Sequence, residues 1–460
     1  MKLPKLDRRE RWTYYMFAML GIFCVMNLNA IAGKFFGFDR FFSPFILLFC
    51  VLGVLRAGTK GITTKLGKFG LLLLIGYISY LSFGCLSAFI EKNQERMTGE
   101  VLRFGASVAV TAATILLVRR LIFAGHVDRV MKFVFWLSIA SSATIFISYL
   151  FPQLNAAVGV ADRAGRMSGF FANPNELATQ TLITTAFGFG LASRTLNIKY
   201  LVITFLVCVP AVLGAHTRSA IVGMACMIFT LSCIVFPAKY VVRTTMSLAV
   251  VGLIGFGGMS YLQSLSEGSE NRALQKRTDQ LFEFMSGDVR GATTGGRFDL
   301  AKEAIGLWSK KPVIGHGLGY MNEMPIHRGG PHNMILKMMG DSGLSGSITL
   351  GLFWILFFFA ALQCRIRWLK VTLLGTFMAI SFNLISAHTG ISRRFIVFQL
   401  AVIVAFIEPK TQRQIAQTLQ GNTRKFVWFR APDTPLPSPH MPHRAMHPPS
   451  PIQNRRQFDP

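Results

Sequence analysis

The stretch from 69 to 90, FGLLLLIGYISYLSFGCLSAFI, decides the class of fold. It contains no charged residue, and a helix needs roughly 20 consecutive apolar residues to cross a bilayer. Similar blocks recur along the 460 residues, of which only 15% are charged, whereas soluble proteins carry about 25%. The sequence therefore predicts an all-α polytopic membrane protein rather than a row of soluble domains.

The apolar blocks predict about twelve transmembrane helices. They lie at about 12–32, 41–57, 69–90, 101–123, 130–151, 176–193, 198–215, 219–237, 241–263, 342–363, 369–387 and 393–408. The chain then divides into helices one to nine (1–263), a large extramembrane loop (264–341), helices ten to twelve (342–408) and a tail (409–460). The whole tail (409–460) is predicted to be disordered, because its last 30 residues are rich in proline.

The positive charge is unevenly distributed among the loops. The net charge is +27, and most of the excess lies in alternate short loops and in the tail, including Arg8, Arg56, Arg119, Arg194 and Lys370. Because basic loops stay on the cytoplasmic side, both termini are predicted to be cytoplasmic and the loop 264–341 periplasmic. This distribution favours membrane lipids as partners and speaks against nucleic acid.

The large loop contains two stretches whose apolar residues have helical spacing, 270–286 and 298–310. In the second stretch Phe298, Ala301, Ile305 and Trp308 are predicted to form one face. The loop is therefore predicted to be a helical cap over the membrane.

Two arginines of this predicted periplasmic side stand at predicted helix starts. Arg218 lies in the turn Ala-His-Thr-Arg-Ser (215–219), and Arg297 follows a pair of glycines. An arginine beside a helix N-terminus forms a suitable site for a phosphate. The alternatives are an arginine that snorkels to the interface at 218 and a solvated arginine after a hinge at 297.

A second cluster of polar residues lies at the start of the sixth predicted helix. Asn173, Pro174 and Glu176 have the pattern of a helix cap. The same stretch is an alternative candidate for ligand contacts, with Asn173 and Asn175. Arg166, in the preceding basic loop, is a candidate for contact with an anionic ligand or with lipid headgroups.

His332, followed by Asn333, stands near the predicted membrane face. A histidine there could act as a general base near neutral pH, and a structural role is the alternative. The spacing of His316, His327 and His332 matches no zinc pattern, so no metal site is predicted.

Three segments together resemble the O-antigen ligase/polymerase superfamily of bacterial membrane glycosyltransferases. They are RMSGFFANPNELA (166–178), GAHTRSAIVG (214–223), and GRFDLAKEAIGLWSKKPVIGHGLG with PHNMILKMMGDSGLSG (within 296–346). The resemblance covers about residues 160–365. One departure is Asp341, because the family often has Glu at this position.

The resemblance implies a GT-C-like helical bundle in the bacterial inner membrane and no cofactor, neither nucleotide nor metal. It implies an undecaprenyl diphosphate-linked glycan as donor at the periplasmic face, with a lipid A-core or lipid-linked glycan as acceptor. The family arginines that match Arg218 and Arg297 bind the diphosphate, and the histidine that matches His332 is the base. Arg166, Asn173, Asn175 and Asn333 are further candidates for contacts with the donor or the loop.

The chemistry of these residue types agrees with that implied reaction. Two guanidinium groups can bind the oxygens of a diphosphate leaving group, and a neutral histidine can accept the proton of the acceptor hydroxyl. Direct displacement would invert the anomeric centre. A protein O-oligosaccharyltransferase of the same superfamily and a polysaccharide or anion transporter are the alternatives. A transporter would be expected to carry charged residues in mid-membrane. Within the twelve apolar blocks the only clear candidate is Arg103, and it lies close to a helix end. The polar residues concentrate instead at one membrane face and in one loop, which favours an enzyme.

We expect a cysteine introduced as Ser269→Cys to react with a membrane-impermeant maleimide added to whole cells, because the loop 264–341 is predicted to be periplasmic. Lys239→Cys, in a loop predicted to be cytoplasmic, is the matched control and should not react. Labelling of Ser269→Cys only after the inner membrane is permeabilised would reverse the predicted orientation.

Overall fold

A computed structural model gives the fold of the chain. It describes residues 6–29, 31–32, 41–58, 60–92, 94–150, 167–171, 173–215, 217–236, 297–324, 330–387 and 392–422, with the single residues Tyr240, Val242 and Met246. The chain divides into a unit of residues 1–417 and a second unit of residues 418–460. Of the second unit, only the residues that end the last helix are described.

The described part of the chain is built from α-helices. They are α1 (Arg8–Val25), α2 (Ser43–Ala57), α3 (Ile62–Ile90), α4 (Met97–Phe123), α5 (Val127–Ala143), α6 (Ile145–Leu150), α7 (Pro174–Thr195), α8 (Lys199–Gly214), α9 (Arg218–Val235), α10 (Arg297–Lys310), α11 (Met334–Gln363), α12 (Arg367–Ser386), α13 (Arg394–Ile407) and α14 (Pro409–Asn422).

The prediction of an all-helical membrane protein is confirmed. A helix lies at each predicted span except 241–263, which falls almost wholly outside the described residues. Among the described residues, five helices are long and apolar enough to cross a membrane, or up to six if the bent pair α13 and α14 forms one span. The five are Ile62–Ile90, Met97–Phe123, Val127–Ile147, Met334–Gln363 and Arg367–Ser386. Twelve spans and a GT-C-like fold stay predictions.

Two helices form the centre of the bundle. Every residue of α13 from Phe395 to Ile407 is buried, and α7 is buried along almost its whole length. Large apolar side chains are instead exposed on the surrounding helices, such as Leu206 and Ile348, each 65% exposed. Exposed apolar surface on this scale suits a lipid environment.

Helices α11 and α12 pack antiparallel. The indole of Trp354 donates a 3.0 Å hydrogen bond to Ser381 and stacks on Phe377, and Phe358 also contacts Phe377. The start of α11 therefore lies at the same end of the bundle as the end of α12. The amide nitrogen of Asn383 donates a 2.6 Å hydrogen bond to Thr179, which brings the start of α7 to that end as well.

Helix α11 is broken at Gly343, whose φ of 63° and ψ of −168° are not helical. The chain that follows α10 passes into the break, where the amides of Leu344 and Ser345 donate to the carbonyls of Pro312 and Val313 at 2.9 and 3.1 Å. A Cβ at Gly343 would clash with the carbonyl oxygen of Val313. Glycine is thus required both by the backbone conformation and by the close approach of this chain.

The predicted apolar face of α10 is not the face that is buried. Phe298 is 71% and Ile305 49% exposed, whereas Ala304 and Leu307 are buried against Met321 and Leu300 packs on the same cluster. The helix has apolar residues on two faces. The segment that contains Met321 packs against the face with Leu300 and so buries that face. The predicted helix at 270–286 lies outside the described residues.

The predicted tail also differs from the structure in its first part. Residues Pro409–Asn422 form a helix, bent by 70° from α13. Ile415 is buried, and the amide of Gln412 donates to the carbonyl of Glu408 at 2.9 Å. Burial of Ile415 stabilises this helix against the rest of the bundle. Residues 423–460 lie outside the described residues.

Gly343→Ala should destabilise the protein by about 2–4 kcal/mol, because alanine is strained at positive φ and its methyl group would collide with the chain in the break. Gly351→Ala is the matched control, since a Cβ at this position of the same helix meets no atom within 4 Å. Thermal unfolding of the purified protein in detergent measures both changes. Equal stability of the two variants would contradict the role assigned to the break.

Candidate functional site

Arg218 and Arg297 are each the first residue of a helix, α9 and α10 respectively. Their side chains lie outside the described part of the structure. The residue before Arg218 is Thr217, which is extended and is the N-cap of α9, although its side chain makes no capping hydrogen bond. The backbone therefore has a helix N-terminus at both arginines, as the sequence predicts.

His332 precedes α11 and is partly buried. Its φ of 49° lies in the left-handed region, which is uncommon for residues other than glycine. The side-chain oxygen of Asn333 accepts hydrogen bonds from the amides of Ile335 and Leu336 at 2.9 and 3.1 Å. Asn333 is thus engaged as the N-cap of α11 and fixes the chain direction directly after the histidine.

The start of α7 has the predicted cap. Asn173 accepts a 3.1 Å hydrogen bond from the amide of Glu176 and donates one of 2.9 Å to its carboxylate. The carboxylate of Glu176, which is buried, also forms a 2.8 Å ion pair with Arg393. Arg166 lies outside the described residues. The predicted ligand role of Asn173 stays a prediction beside its role in the cap.

Asn175 lines a cleft between the starts of α7 and α9 and the end of α12. The cleft is small, with a free volume of about 10 Å³, and it is open to the outside. Its described lining residues are Asn175, Ala178, Thr179, Leu182, Thr217, Ser219, Ala220, Phe382, Asn383 and Ser386. None of these side chains is charged, and Thr217 and Ser219 flank Arg218 in the chain.

A buried polar cluster holds the start of α11 against α4. The carboxylate oxygen Oε1 of Glu100 accepts hydrogen bonds from Arg103 at 2.7 Å and from Asn322 at 3.0 Å, and forms an ion pair with Lys337 at 3.3 Å. Glu100 and Lys337 are 3% and 1% exposed. Because a buried charge is costly without a partner, these contacts fix the first turns of α11 and so the position of His332.

Asp341 joins the chain after α10 to α3. Its carboxylate accepts hydrogen bonds from the hydroxyl of Tyr80 and from the amide of Met321, both at 2.9 Å. Its backbone carbonyl accepts from the amide of Gly317 at 2.9 Å. Asp341 therefore stabilises the loop around the candidate site.

The histidines do not form a metal site in the described part of the chain. His316 stacks on Tyr320, and its Nε2 lies 2.7 Å from the carbonyl oxygen of Leu307. His327 is outside the described residues. Across those residues, no group of three or more His, Cys, Asp or Glu side chains is arranged to hold a metal ion.

Sequence reasoning missed several residues at this end of the bundle. Glu100 and Lys337 could have been found as opposite charges in apolar stretches, which are costly unless paired. Arg393 could have been found as a basic residue on the predicted periplasmic side. Thr217 and Asn383 carry no local signal, because their importance depends on the packing of helices that are distant in sequence.

Lys337→Met should destabilise the protein by about 3–5 kcal/mol, because it removes one partner of a buried ion pair. The double variant Lys337→Met/Glu100→Gln should recover part of that loss, since no uncompensated carboxylate is left buried. Lys302→Met, at an exposed position of α10, is the control and should change stability by less than about 0.5 kcal/mol. Thermal unfolding in detergent measures all three, and wild-type stability of Lys337→Met would contradict the role of the pair.

Comparison with known protein families finds a match over the part of the chain that contains the candidate residues. A sequence model of the family described as O-antigen ligase matches residues 203–351, a stretch that contains Arg218, Arg297 and His332. No curated protein matches the chain significantly. The family match supports glycosyl transfer in a membrane, with lipid-linked glycans as substrates. The stretch from 203 to 351 is thus similar to the O-antigen ligase family, and this similarity supports the resemblance to the O-antigen ligase/polymerase superfamily.

Proposed function

We propose that the chain transfers an undecaprenyl diphosphate-linked glycan to a sugar hydroxyl at the periplasmic face of the bacterial inner membrane, as an O-antigen ligase or a polysaccharide polymerase. The observation that carries this proposal is the position of Arg218 and Arg297. Each is the first residue of a helix within the stretch that matches the family. Backbone N–H groups and a guanidinium then offer hydrogen bonds to an anion at both positions.

In the proposed reaction the acceptor hydroxyl attacks the anomeric carbon of the first donor sugar. A new glycosidic bond forms while the bond to the diphosphate oxygen breaks, and undecaprenyl diphosphate leaves with the electron pair. Arg218 and Arg297 stabilise the charge that develops on this leaving group. His332 accepts the proton of the acceptor hydroxyl, and the single displacement inverts the anomeric centre. These steps need no metal ion.

The proposed orientation places the cleft, the start of α11 and His332 on the periplasmic side. Arginines near the opposite end of the bundle support it. Arg119 pairs there with Glu408 at 3.8 Å, Arg194 pairs with Asp128, and Arg120 donates to the carbonyl of Arg56. An excess of basic residues at one end is typical of the cytoplasmic side.

A deletion strain distinguishes the ligase from the polymerase. Gels of its lipopolysaccharide should lack every long glycan on lipid A if the chain is the ligase. A single repeat left on the core would indicate the polymerase. An unchanged lipopolysaccharide and capsule would contradict both.

Arg297→Ala should lower transfer of glycan from the lipid-linked donor by at least about a hundredfold, because it removes stabilisation of the leaving group. Arg297→Lys should restore activity only in part, since lysine cannot make the bidentate contact. His332→Ala should lower kcat by about 10²–10⁴-fold with little change in the KM of the donor. Transfer by the purified protein in lipid nanodiscs is the measurement.

Arg96→Ala is the matched control for these variants. Arg96 lies at the same end of the bundle, and its 3.1 Å pair with Glu323 is largely exposed, so its removal should change stability by less than about 1 kcal/mol. Wild-type turnover of Arg297→Ala or His332→Ala would refute the roles proposed for those residues.

A further inference from the structure

Helix α10 presents an apolar face that the described part of the fold leaves exposed. The face consists of Phe298, Ala301, Ile305 and Trp308, which recur at helical spacing. Phe298 and Ile305 are exposed, and Ala301 and Trp308 are half-buried. This face lies beside the residues that α10 buries in the bundle. The helix is therefore apolar over more of its surface than the described residues cover.

The remaining face of α10 is polar. Its exposed residues include Asp299, Lys302, Ser309 and Lys310. The helix thus has one buried face, one exposed apolar face and one exposed polar face. A helix with exposed apolar and polar faces is typical of the membrane interface, where the apolar face lies in lipid and the polar face in water.

The end of α10 lies at the level where α3 leaves its apolar span. Lys311, directly after α10, forms an ion pair with Glu91, the residue directly after α3. A few residues further on, the carbonyl of Gly315 accepts a 2.8 Å hydrogen bond from Ser87, which lies inside the apolar span Ile62–Ile90. The chain therefore descends into the apolar part of the bundle directly after α10, and the end of α10 lies at the interface.

Trp308 joins the exposed face of α10 to the exposed side of α11. The carbonyl of Pro312 accepts a 3.2 Å hydrogen bond from the indole of Trp308 and one of 2.9 Å from the amide of Leu344. From this point a stripe of exposed apolar side chains follows one side of α11, formed by Leu344, Ile348, Leu352, Ile355 and Phe359.

This stripe of α11 faces lipid. The part of α11 after the break has about 20 residues and is long enough to cross a bilayer on its own. The break and Leu344 then lie near one edge of the hydrocarbon layer. A tryptophan at this edge is typical of membrane proteins, because its ring is apolar and its N–H is polar. The exposed face of α10 is thus continuous with a surface that lipid covers.

We propose that α10 binds the lipid of the adjacent leaflet as a helix that lies in the plane of the membrane, with Phe298, Ala301, Ile305 and Trp308 in contact with acyl chains. This lipid contact does not depend on the proposed glycosyl transfer. Under the proposed function it has a further consequence, because α10 begins at Arg297. The contact then sets the height of that residue near the lipid headgroups, where the diphosphate of a lipid-linked donor lies.

Spin labelling in nanodiscs of phosphatidylethanolamine and phosphatidylglycerol tests this proposal. A nitroxide is attached at Ile305→Cys after replacement by alanine of the cysteines that are not buried, Cys85, Cys226 and Cys233. Power saturation then compares collisions of the nitroxide with oxygen, which concentrates in lipid, and with a nickel chelate, which stays in water. The matched controls are Ile348→Cys on the lipid-facing stripe and Lys310→Cys on the polar face.

The label at Ile305 should collide more often with oxygen than with the nickel chelate, as the label at Ile348 does. Its depth should be about 5–10 Å below the headgroups. The label at Lys310 should show the opposite preference. Phe298→Cys gives a second position on the apolar face and should behave as Ile305→Cys does. The melting temperature of each variant shows that the labelled protein is folded.

Two results would overturn the lipid contact. A label at Ile305 that neither reagent reaches would show that protein covers this face, either another part of the chain or a second copy. More frequent collisions with the nickel chelate would place the face in water. Lipid contact at Ile305 in a protein that transfers no glycan would refute the proposed function and leave this inference intact.

Discussion

The break in α11 at Gly343 is the constraint on which this end of the bundle depends. A continuous helix would leave no backbone amides for the chain after α10. The break lets the amides of Leu344 and Ser345 donate hydrogen bonds to the carbonyls of Pro312 and Val313. The segment after α10 therefore crosses α11 at hydrogen-bonding distance from its backbone. This crossing fixes α10, which begins at Arg297, beside the helix that follows His332.

The buried polar cluster adds a second restraint at the same place. Glu100 holds Lys337, and Asp341 holds the amide of Met321, so both sides of the crossing are joined to α3 and α4. Breaking such a pair costs more than forming it stabilises, because the remaining charge stays buried. The main effect of the cluster is thus to fix the position of the segment between α10 and α11, and its contribution to the overall stability of the protein is smaller. A rigid loop is what a displacement reaction needs to keep its base and its anion-binding groups in register.

The helices were predictable from the sequence, because apolar blocks of sufficient length determine them locally. Arg218 and Arg297 were predicted as helix starts from the turns that precede them. The break at Gly343 was not, since it depends on a chain segment that returns from α10. The exposed face of α10 was misassigned because that helix is apolar on two sides. Asn383 lies in an apolar block, and its contact with Thr179, 204 residues away, has no local signal.

The most direct test of the account is a cryo-EM structure of the protein in a lipid nanodisc with the undecaprenyl diphosphate-linked donor bound. We expect the diphosphate to lie between the guanidinium groups of Arg218 and Arg297. We also expect a ring nitrogen of His332 to be able to approach the acceptor hydroxyl to about 3 Å. A diphosphate bound at the opposite end of the bundle, or a His332 remote from both arginines in the donor-bound state, would contradict it.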